Sequence, residues 1–209
     1  MARRTRGTEE RRAELLQAAR KRFVRDGFAE VSVSRIVRDV GVAQGTFYYY
    51  FDSKEAALDA LIGEYVREVE ARLAEVARDP ALDPLRALER MVRVELDSDE
   101  PRARELGGIR GADAHGKLFS AMFRRLAPIY AGVVARGQRA RVFHAGDPDL
   151  LAEIVVLTTH SLFDRDLLGW TGQEYARRRR ALAPLIGMVL GVAGGALDFG
   201  EASRPPRAR

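Results

Sequence analysis

Apolar residues along the chain recur at helical rather than strand spacing almost from its start. Thr8 can cap a helix whose first turn carries Glu9 and Glu10; Leu15, Leu16, Ala19 and Phe23 then form one face, and Gly27 is a natural stop. Ser32 can cap a short second helix in which Val33, Ile36, Val37 and Val40 fall at i, i+3, i+4 and i+7, and Gly41 ends it. The segment 43–51 has two apolar anchors, Phe47 and Phe51, one turn apart, and an otherwise unusually aromatic surface. Asp52 or Ser53 can cap a long helix, with Glu55 completing a capping box from Asp52 and an apolar stripe running from Leu58 to Val76.

Two prolines between Asp79 and Pro84 mark a turn, after which Leu85, Leu88, Met91, Val92 and Leu96 make another amphipathic helix, ended by the acidic run 97–100 and Pro101. The glycine-rich piece 107–111 reads as loop around a short helix. Helical spacing resumes from His115 through Phe119, Met122, Phe123, Leu126 and Tyr130 to Val134, and the turn 144–148 precedes helices over about 148–168 and 172–197. No alternating run supports a strand. The expected fold is all-α: a disordered basic arm (1–7), a three-helix head (8–53), a helical body (54–200) and a disordered Pro/Arg tail (201–209).

The 209 residues, 46% hydrophobic, suffice for one sizeable core or two small ones. The net charge of +5 is concentrated: residues 1–54 hold 12 basic and 7 acidic side chains, and the remainder holds 23 of each. A basic segment beside a neutral body points to a polyanion, either nucleic acid or an anionic membrane surface. The absence of cysteine removes disulfides, thiolate zinc sites and cysteine nucleophiles. His115, His144 and His160 show no ligand spacing, so no metal, cofactor or catalytic set is expected. The longest uncharged run, Ala181 to Leu197, is glycine-rich, interrupted by Pro184 and marginal for a membrane span, which needs roughly 20 mostly apolar residues. With no secretory signal at the N-terminus, the expectation is a cytoplasmic protein without a membrane partner.

The two short helices around Gly41 read as a helix-turn-helix, with Val37, Gly41 and Phe47 fixing the crossing and the other face of the second helix left for the major groove. Gln44, Thr46, Tyr48, Tyr49 and Tyr50 would be presented outward. Gln can pair bidentately with adenine, a threonine methyl can touch a thymine methyl, and tyrosine hydroxyls can reach phosphates. Tyr50 suits a core position equally well, and the arm's arginines can either meet DNA or merely solubilise the terminus.

The run Gly-Val-Ala-Gln-Gly-Thr-Phe-Tyr-Tyr-Tyr-Phe-Asp-Ser-Lys-Glu-Ala-Ala-Leu, Gly41 to Leu58, closely resembles the N-terminal signature of the TetR/AcrR (tetracycline-repressor-like) family of bacterial regulators. The match extends upstream through Ala19, Phe23, Gly27, Phe28 and the helix from Ser32 to Val37, covering roughly residues 8 to 65. The rest of the chain resembles the family only in length and helical character. The resemblance implies that Gln44, Gly45, Thr46 and Tyr49 approach bases or sugar-phosphate, that Tyr48 and Lys54 grip phosphates, and that Ser32, Ser34 and Arg35 meet the backbone or flanking bases. Ala43 departs from the pattern, standing where a hydroxyl residue often caps the recognition helix, at a cost of about 1 kcal/mol.

In the body, Met91, Phe119, Met122, Phe123, Tyr130, His160, Phe163 and Trp170 lie on helices that would enclose an effector pocket, with Asp164 one turn beyond His160. Each also suits an ordinary core. Ala183, Gly187, Gly191 and Gly195 repeat every four residues and make a side-chain-poor stripe suited to close helix approach. That stripe is either intramolecular packing or a homodimer interface formed with the preceding helix as a four-helix bundle, the arrangement the resemblance implies. The whole reads as a homodimeric regulator that binds double-stranded operator DNA, most simply a repressor released from an inverted repeat by a small, largely hydrophobic effector. The alternatives are an activator or effector-independent regulator, or a helical small-molecule-binding protein or enzyme.

Overall fold

In a computed structural model of the chain, the described residues are 2–96, 106, 109, 112–163 and 168–200. Among them are eight helices and no strand: α1 (Ala2–Asp26), α2 (Val33–Val40), α3 (Gln44–Tyr50), α4 (Lys54–Arg78), α5 (Pro84–Leu96), α6 (Ala112–Arg139), α7 (Pro148–Phe163) and α8 (Gly172–Leu190). The all-α expectation holds. The acidic run 97–100, Asp164 and the tail 201–209 lie outside the described residues, as does 107–111 apart from Ile109. The chain divides into two compact units, residues 1–66 with 100–121 and residues 67–99 with 122–209. The first unit therefore takes in the start of α4, beyond the expected head boundary at residue 53.

In the first unit α1 begins at Ala2, which corrects both the disordered arm expected over residues 1–7 and the helix start expected at Thr8. The physical reason is propagation. The buried face of Leu15, Ala19 and Phe23 nucleates the helix, and arginine, a good helix former, lets it extend backwards through the single weak point at Gly7. Gly27, at φ +86°, ends it with an N–H bond to the Phe23 carbonyl at 3.0 Å. Ser32 occupies the N-cap position of α2 with extended backbone, but its side chain makes no capping bond. Ser53, not Asp52, caps α4: its Oγ accepts from the Ala56 N–H at 3.1 Å, so the Asp52–Glu55 box is not the one used.

The second unit is organised by polar groups that hold loops. Asp83 caps α5 by accepting from the N–H groups of Leu85 at 2.9 Å and Arg86 at 3.0 Å. Arg136 donates to the carbonyls of Ala77 and Leu82 at 2.5 and 3.1 Å and so pins the turn between α4 and α5. Within α6, Ala114–Arg139 is long and apolar enough by length and composition to cross a membrane, and its Leu126, Tyr130, Val133 and Val134 are buried inside the protein. Thr171 and Glu174 form a reciprocal capping box at the start of α8.

The end of α8 differs from expectation. The helix stops at Leu190, short of Leu197, because Gly191 turns left-handed at φ +64° and the Val192 N–H bonds back to the Gly187 carbonyl at 2.8 Å. Gly195, at φ +82°, lies beyond it. Residues 192–200 fold back as a strap with Leu197 and Phe199 buried. Buried Arg179 donates to the carbonyls of Phe199 at 2.9 Å and Gly200 at 3.0 Å, and Glu89 accepts from the Asp198 N–H at 2.8 Å.

A Cβ at Gly191 would fall 1.7 Å from the ring of His144, in a backbone conformation that already disfavours side chains. Gly191→Ala is expected to lower the free energy of unfolding by about 1–3 kcal/mol in denaturant titrations. Gly187→Ala, where the nearest atom would be 3.8 Å away, should leave it unchanged or raise it by up to about 1 kcal/mol. Equal stabilities of the two variants would remove the helix stop at Gly191.

Candidate functional site

The turn between α2 and α3 is set by Gly41, at φ +73°, whose N–H bonds to the carbonyls of Val37 and Arg38 while the Val42 N–H bonds to Val37 at 3.1 Å. Ile36 and Val37 point inward from α2, and Phe47, with no exposed surface, points inward from α3. Phe51 follows one turn later, buried against Phe47 at a ring separation of 5.4 Å. With that side fixed, helical geometry presents the opposite side of α3 to solvent. Tyr49 is 75% exposed and Tyr48 52%. Gln44 and Gly45 are exposed, while Thr46 and Tyr50 are half-buried. Tyr50 packs edge-on against Tyr49 at 4.8 Å, which stiffens the exposed ring. A Cβ at Gly45 would meet nothing within 4 Å, so another backbone can approach α3 there.

Ser32, Ser34 and Arg35 are all exposed at the start of α2. Arg35 reaches the Glu30 carbonyl at 3.4 Å, and the Gln44 Nε2 donates to Ser34 Oγ at 2.7 Å across the turn. Two further contacts, not foreseen from the sequence, hold α2. Arg22 on α1 grips Asp39 with two bonds of 2.5 Å and also meets Asp26 at 3.3 Å. The hydrogen bond from Arg22 holds the Asp39 carboxyl below its usual range, and those from Arg25, then Arg22, hold Asp26 at about 2. At the other end of α2, the Lys54 ammonium donates to the carbonyls of Phe28, Ala29 and Val31 at 3.0, 3.2 and 3.2 Å and lies 4.6 Å from the centre of the Phe28 ring. All three of its hydrogens are engaged within the protein. That task, holding the loop before α2, differs from the phosphate grip expected for Lys54.

In the second unit Met91, Met122 and Tyr130 are buried, and Phe123, His160, Phe163 and Trp170 are half-buried. Phe119 belongs to the first unit. Asp164 lies outside the described residues. What sequence reasoning missed is Glu95 on α5, whose side chain is only 5% exposed. Its carboxylate accepts from the Tyr130 hydroxyl and lies 2.5 Å from His160 Nε2, so α5, α6 and α7 share one buried polar cluster. Burial, then the Glu95 charge, pushes the Tyr130 phenol well above its ordinary value. Phe163 packs edge-on against Tyr175 at 5.2 Å, while Trp170 donates to the Leu162 carbonyl at 3.0 Å under the Arg178 guanidinium.

The small-residue stripe is broken. Ala183 and Gly187 lie on α8, whereas Gly191 is its left-handed stop and Gly195 lies in the strap, so the four do not form one helix face. The unforeseen feature is apolar exposure nearby: Leu150, Ile154 and Leu157 along one side of α7, and Leu185 and Met188, the latter 73% exposed, on α8.

Two family models match the chain: bacterial regulatory proteins of the tetR family over residues 15–61, and the tetracyclin repressor-like C-terminal domain over residues 98–183. An HTH-type transcriptional regulator, EthR of Mycolicibacterium smegmatis, is 31% identical over 90 residues, which is 43% of this chain and 42% of that protein. The chain spans less than half the length of the curated relatives it matches. Among solved structures, SmeT in complex with triclosan aligns at a TM-score of 0.70 and 21% identity over 95% of this chain and all (100%) of that one. SmeT is the repressor of the Stenotrophomonas maltophilia multidrug efflux pump SmeDEF. A protein of Saccharomonospora viridis solved with choline aligns at a TM-score of 0.66 and 22% identity over 85% of this chain and 96% of that one. At these identities the structural likeness establishes the fold.

Replacing Lys54 by Ala leaves three carbonyls without their shared donor, and a loss of about 1–3 kcal/mol of stability is expected in chemical denaturation. An unchanged midpoint would show that the ammonium does not hold the loop. The Arg22–Asp39 clamp gives a pH signature. Because the Asp39 carboxyl is depressed in the folded state below an ordinary 3.8, chiefly by the hydrogen bond from Arg22, its contribution is complete above that value and fades as pH falls below it. Asp39→Asn should therefore be less stable than the parent near neutrality, with the gap closing in acid when unfolding is followed by circular dichroism. A gap independent of pH would contradict the clamp.

Proposed function

The chain belongs to the tetR family of bacterial regulatory proteins, and from that premise we propose that it is a DNA-binding repressor whose α3 reads an inverted-repeat operator. The observation that carries this reading is the two-sided character of α3: Phe47 has no exposed surface, and Tyr49, two residues on, is 75% exposed beside open backbone at Gly45. A soluble fold gains nothing by holding so much aromatic surface in water on a short helix, whereas a major groove offers it phosphates and base edges. Gln44, Thr46 and Tyr49 are assigned to bases or sugar-phosphate, and Tyr48, Ser32 and Arg35 to the backbone.

Homodimerisation is supported by the exposed apolar rows on α7 and α8. Leu150, Ile154 and Leu157 with Leu185 and Met188 make the kind of patch that marks an interaction surface, and Ala183 and Gly187 are the members of the small-residue stripe that remain on α8. Two copies related by a two-fold axis would address two half-sites, hence the inverted repeat. The effector is a small, largely hydrophobic molecule held in the cytoplasm by the second unit. Buried Met91 shares α5 with Glu95 and buried Met122 shares α6 with Tyr130, and the carboxylate of the Glu95–Tyr130–His160 cluster favours a ligand that brings a hydrogen-bond donor or a positive charge over one that brings an acid. The triclosan and choline complexes of the two structural relatives are in keeping with such a ligand. Release is linkage: an effector that binds better to the DNA-incompetent state lowers operator affinity by that ratio. α4, one continuous helix with residues in both units, is the route assigned to it.

The test is selection of bound fragments from a random DNA pool at near-physiological salt, with wild type beside Tyr49→Ala. Wild type should enrich an inverted repeat, and Tyr49→Ala should bind that repeat at least about tenfold more weakly, a loss within the range of one good base contact. Failure of wild type to enrich any sequence would remove the operator-reading role.

A further inference from the structure

Gln44 opens α3 with an exposed side chain of three rotatable bonds, which unrestrained would sample many orientations and could turn its amide end over end. In this structure it is anchored: Nε2 donates to Ser34 Oγ at 2.7 Å. Ser34 is itself a fixed point. It lies in the first turn of α2, the Lys54 ammonium secures the carbonyls of Phe28, Ala29 and Val31 just ahead of that helix, and Arg22 grips Asp39 near its end. We infer that Ser34 is a positioning residue that sets base specificity by orienting the amide of Gln44, rather than a contact to the DNA backbone or to flanking bases.

A glutamine amide has two donor hydrogens on Nε2 and an acceptor oxygen. With one hydrogen directed at Ser34, the other lies alongside Oε1, and that adjacent donor and acceptor is the pair that matches N7 and the N6 amino group of adenine in the major groove. The amide turned over would offer acceptor and donor in the reverse order, which faces like with like on adenine. A hydroxyl can also donate, so Ser34 holds the amide end in place, and in the orientation it has here, with Nε2 on Oγ, the adenine-matching pair is the one left for the base. In the free protein the bond is exposed and adds little to folding; on a base edge it is shielded from competing water, where orientation matters most.

This inference rests on α3 meeting base edges, and the experiment separates the two ideas. Affinities are measured for the selected operator and for its variants at the base pair where Gln44→Ala loses discrimination, using wild type, Ser34→Ala, Ser34→Thr, Gln44→Ala and the Ser34→Ala/Gln44→Ala double variant. Wild type should prefer adenine there by roughly tenfold or more. Ser34→Ala should lose most of that preference while keeping its affinity for unrelated DNA, Ser34→Thr should restore it through the retained hydroxyl, and Ser34→Ala should add no loss in the Gln44→Ala background. A uniform loss across all sequences that persists in the Gln44→Ala background would assign Ser34 to phosphate or to the folding of α2, and would overturn the inference. Full retention of the preference by Ser34→Ala would do the same. If wild type selects no sequence at all, the operator-reading role falls and this inference with it.

Discussion

Phe47 is the side chain on which the candidate interface turns. α3 has seven residues, far fewer than the roughly 12–15 that an isolated helix needs to persist in water. Neither end supplies a side-chain cap, since Ala43 stands at its start and Phe51 at its close. Tertiary packing must therefore hold it. Full burial of a phenylalanine contributes about 1.5–3 kcal/mol, and Phe51 adds a second anchor on the same side. Once those rings are seated, the positions of Gln44, Tyr48 and Tyr49 follow from the 3.6-residue period. The left-handed turn at Gly41 then determines how closely α3 can approach Ser34 on α2, so the contact across the turn is also a consequence of where Phe47 sits.

Most of the first unit was legible in the sequence because its signals are short-range. The i, i+3, i+4, i+7 pattern from Val33 to Val40, the glycine at 41 and the anchors at 47 and 51 each lie within one or two helical turns of what they control. The features that were not legible depend on partners distant in sequence. Glu95 looks like a surface charge on an amphipathic helix until Tyr130 and His160 are brought to it. Lys54 sits in a motif that suggests phosphate, but its acceptors are more than twenty residues earlier. The apolar rhythm of α8 runs on to Leu197, and only the backbone at Gly191 shows that Leu197 and Phe199 are buried from a strap rather than from the helix. On α7 apolar residues occur on more than one side, so the sequence shows an excess of hydrophobicity without showing that Val155 and Val156 face inward while Leu150, Ile154 and Leu157 face out.

Buried charge in the second unit is placed where it holds something. Arg179 is enclosed, and its guanidinium meets two carbonyls of the strap; Glu89 is enclosed, and it meets a strap N–H on one oxygen and Arg86 on the other. Removing water from such groups is costly unless their bonds are satisfied, so each fixes its partner with little latitude. The Glu95 cluster joins three helices instead of a strap to a helix: one carboxylate oxygen accepts from the Tyr130 hydroxyl, and the other lies 2.5 Å from His160 Nε2 without a hydrogen bond. Any molecule that competes for the Glu95 carboxylate must rearrange Tyr130 on α6 or His160 on α7. A single carboxylate thus gives three elements a common dependence on what lies beside it.

Stability and recognition are assigned to different classes of contact in this chain. Lys54, Arg136 and Arg179 act on carbonyls within the protein, at least partly shielded from solvent, and with the more exposed Arg22–Asp39 pair hold loops and helix ends in place. Ser34, Gln44, Tyr48 and Tyr49 act at the surface, where a hydrogen bond exchanges with water and contributes little net free energy. On the proposed docking to a base edge the second class would be freed of that competition, and its geometry would begin to discriminate. An effector has only to change the operator affinity by a coupling of about 1–3 kcal/mol, a quantity far smaller than the burial that seats α3 and its neighbours. On the proposed reading, separate scales let the surface of α3 be disengaged from an operator, or respecified through residues such as Ser34, without disturbing the core that positions it.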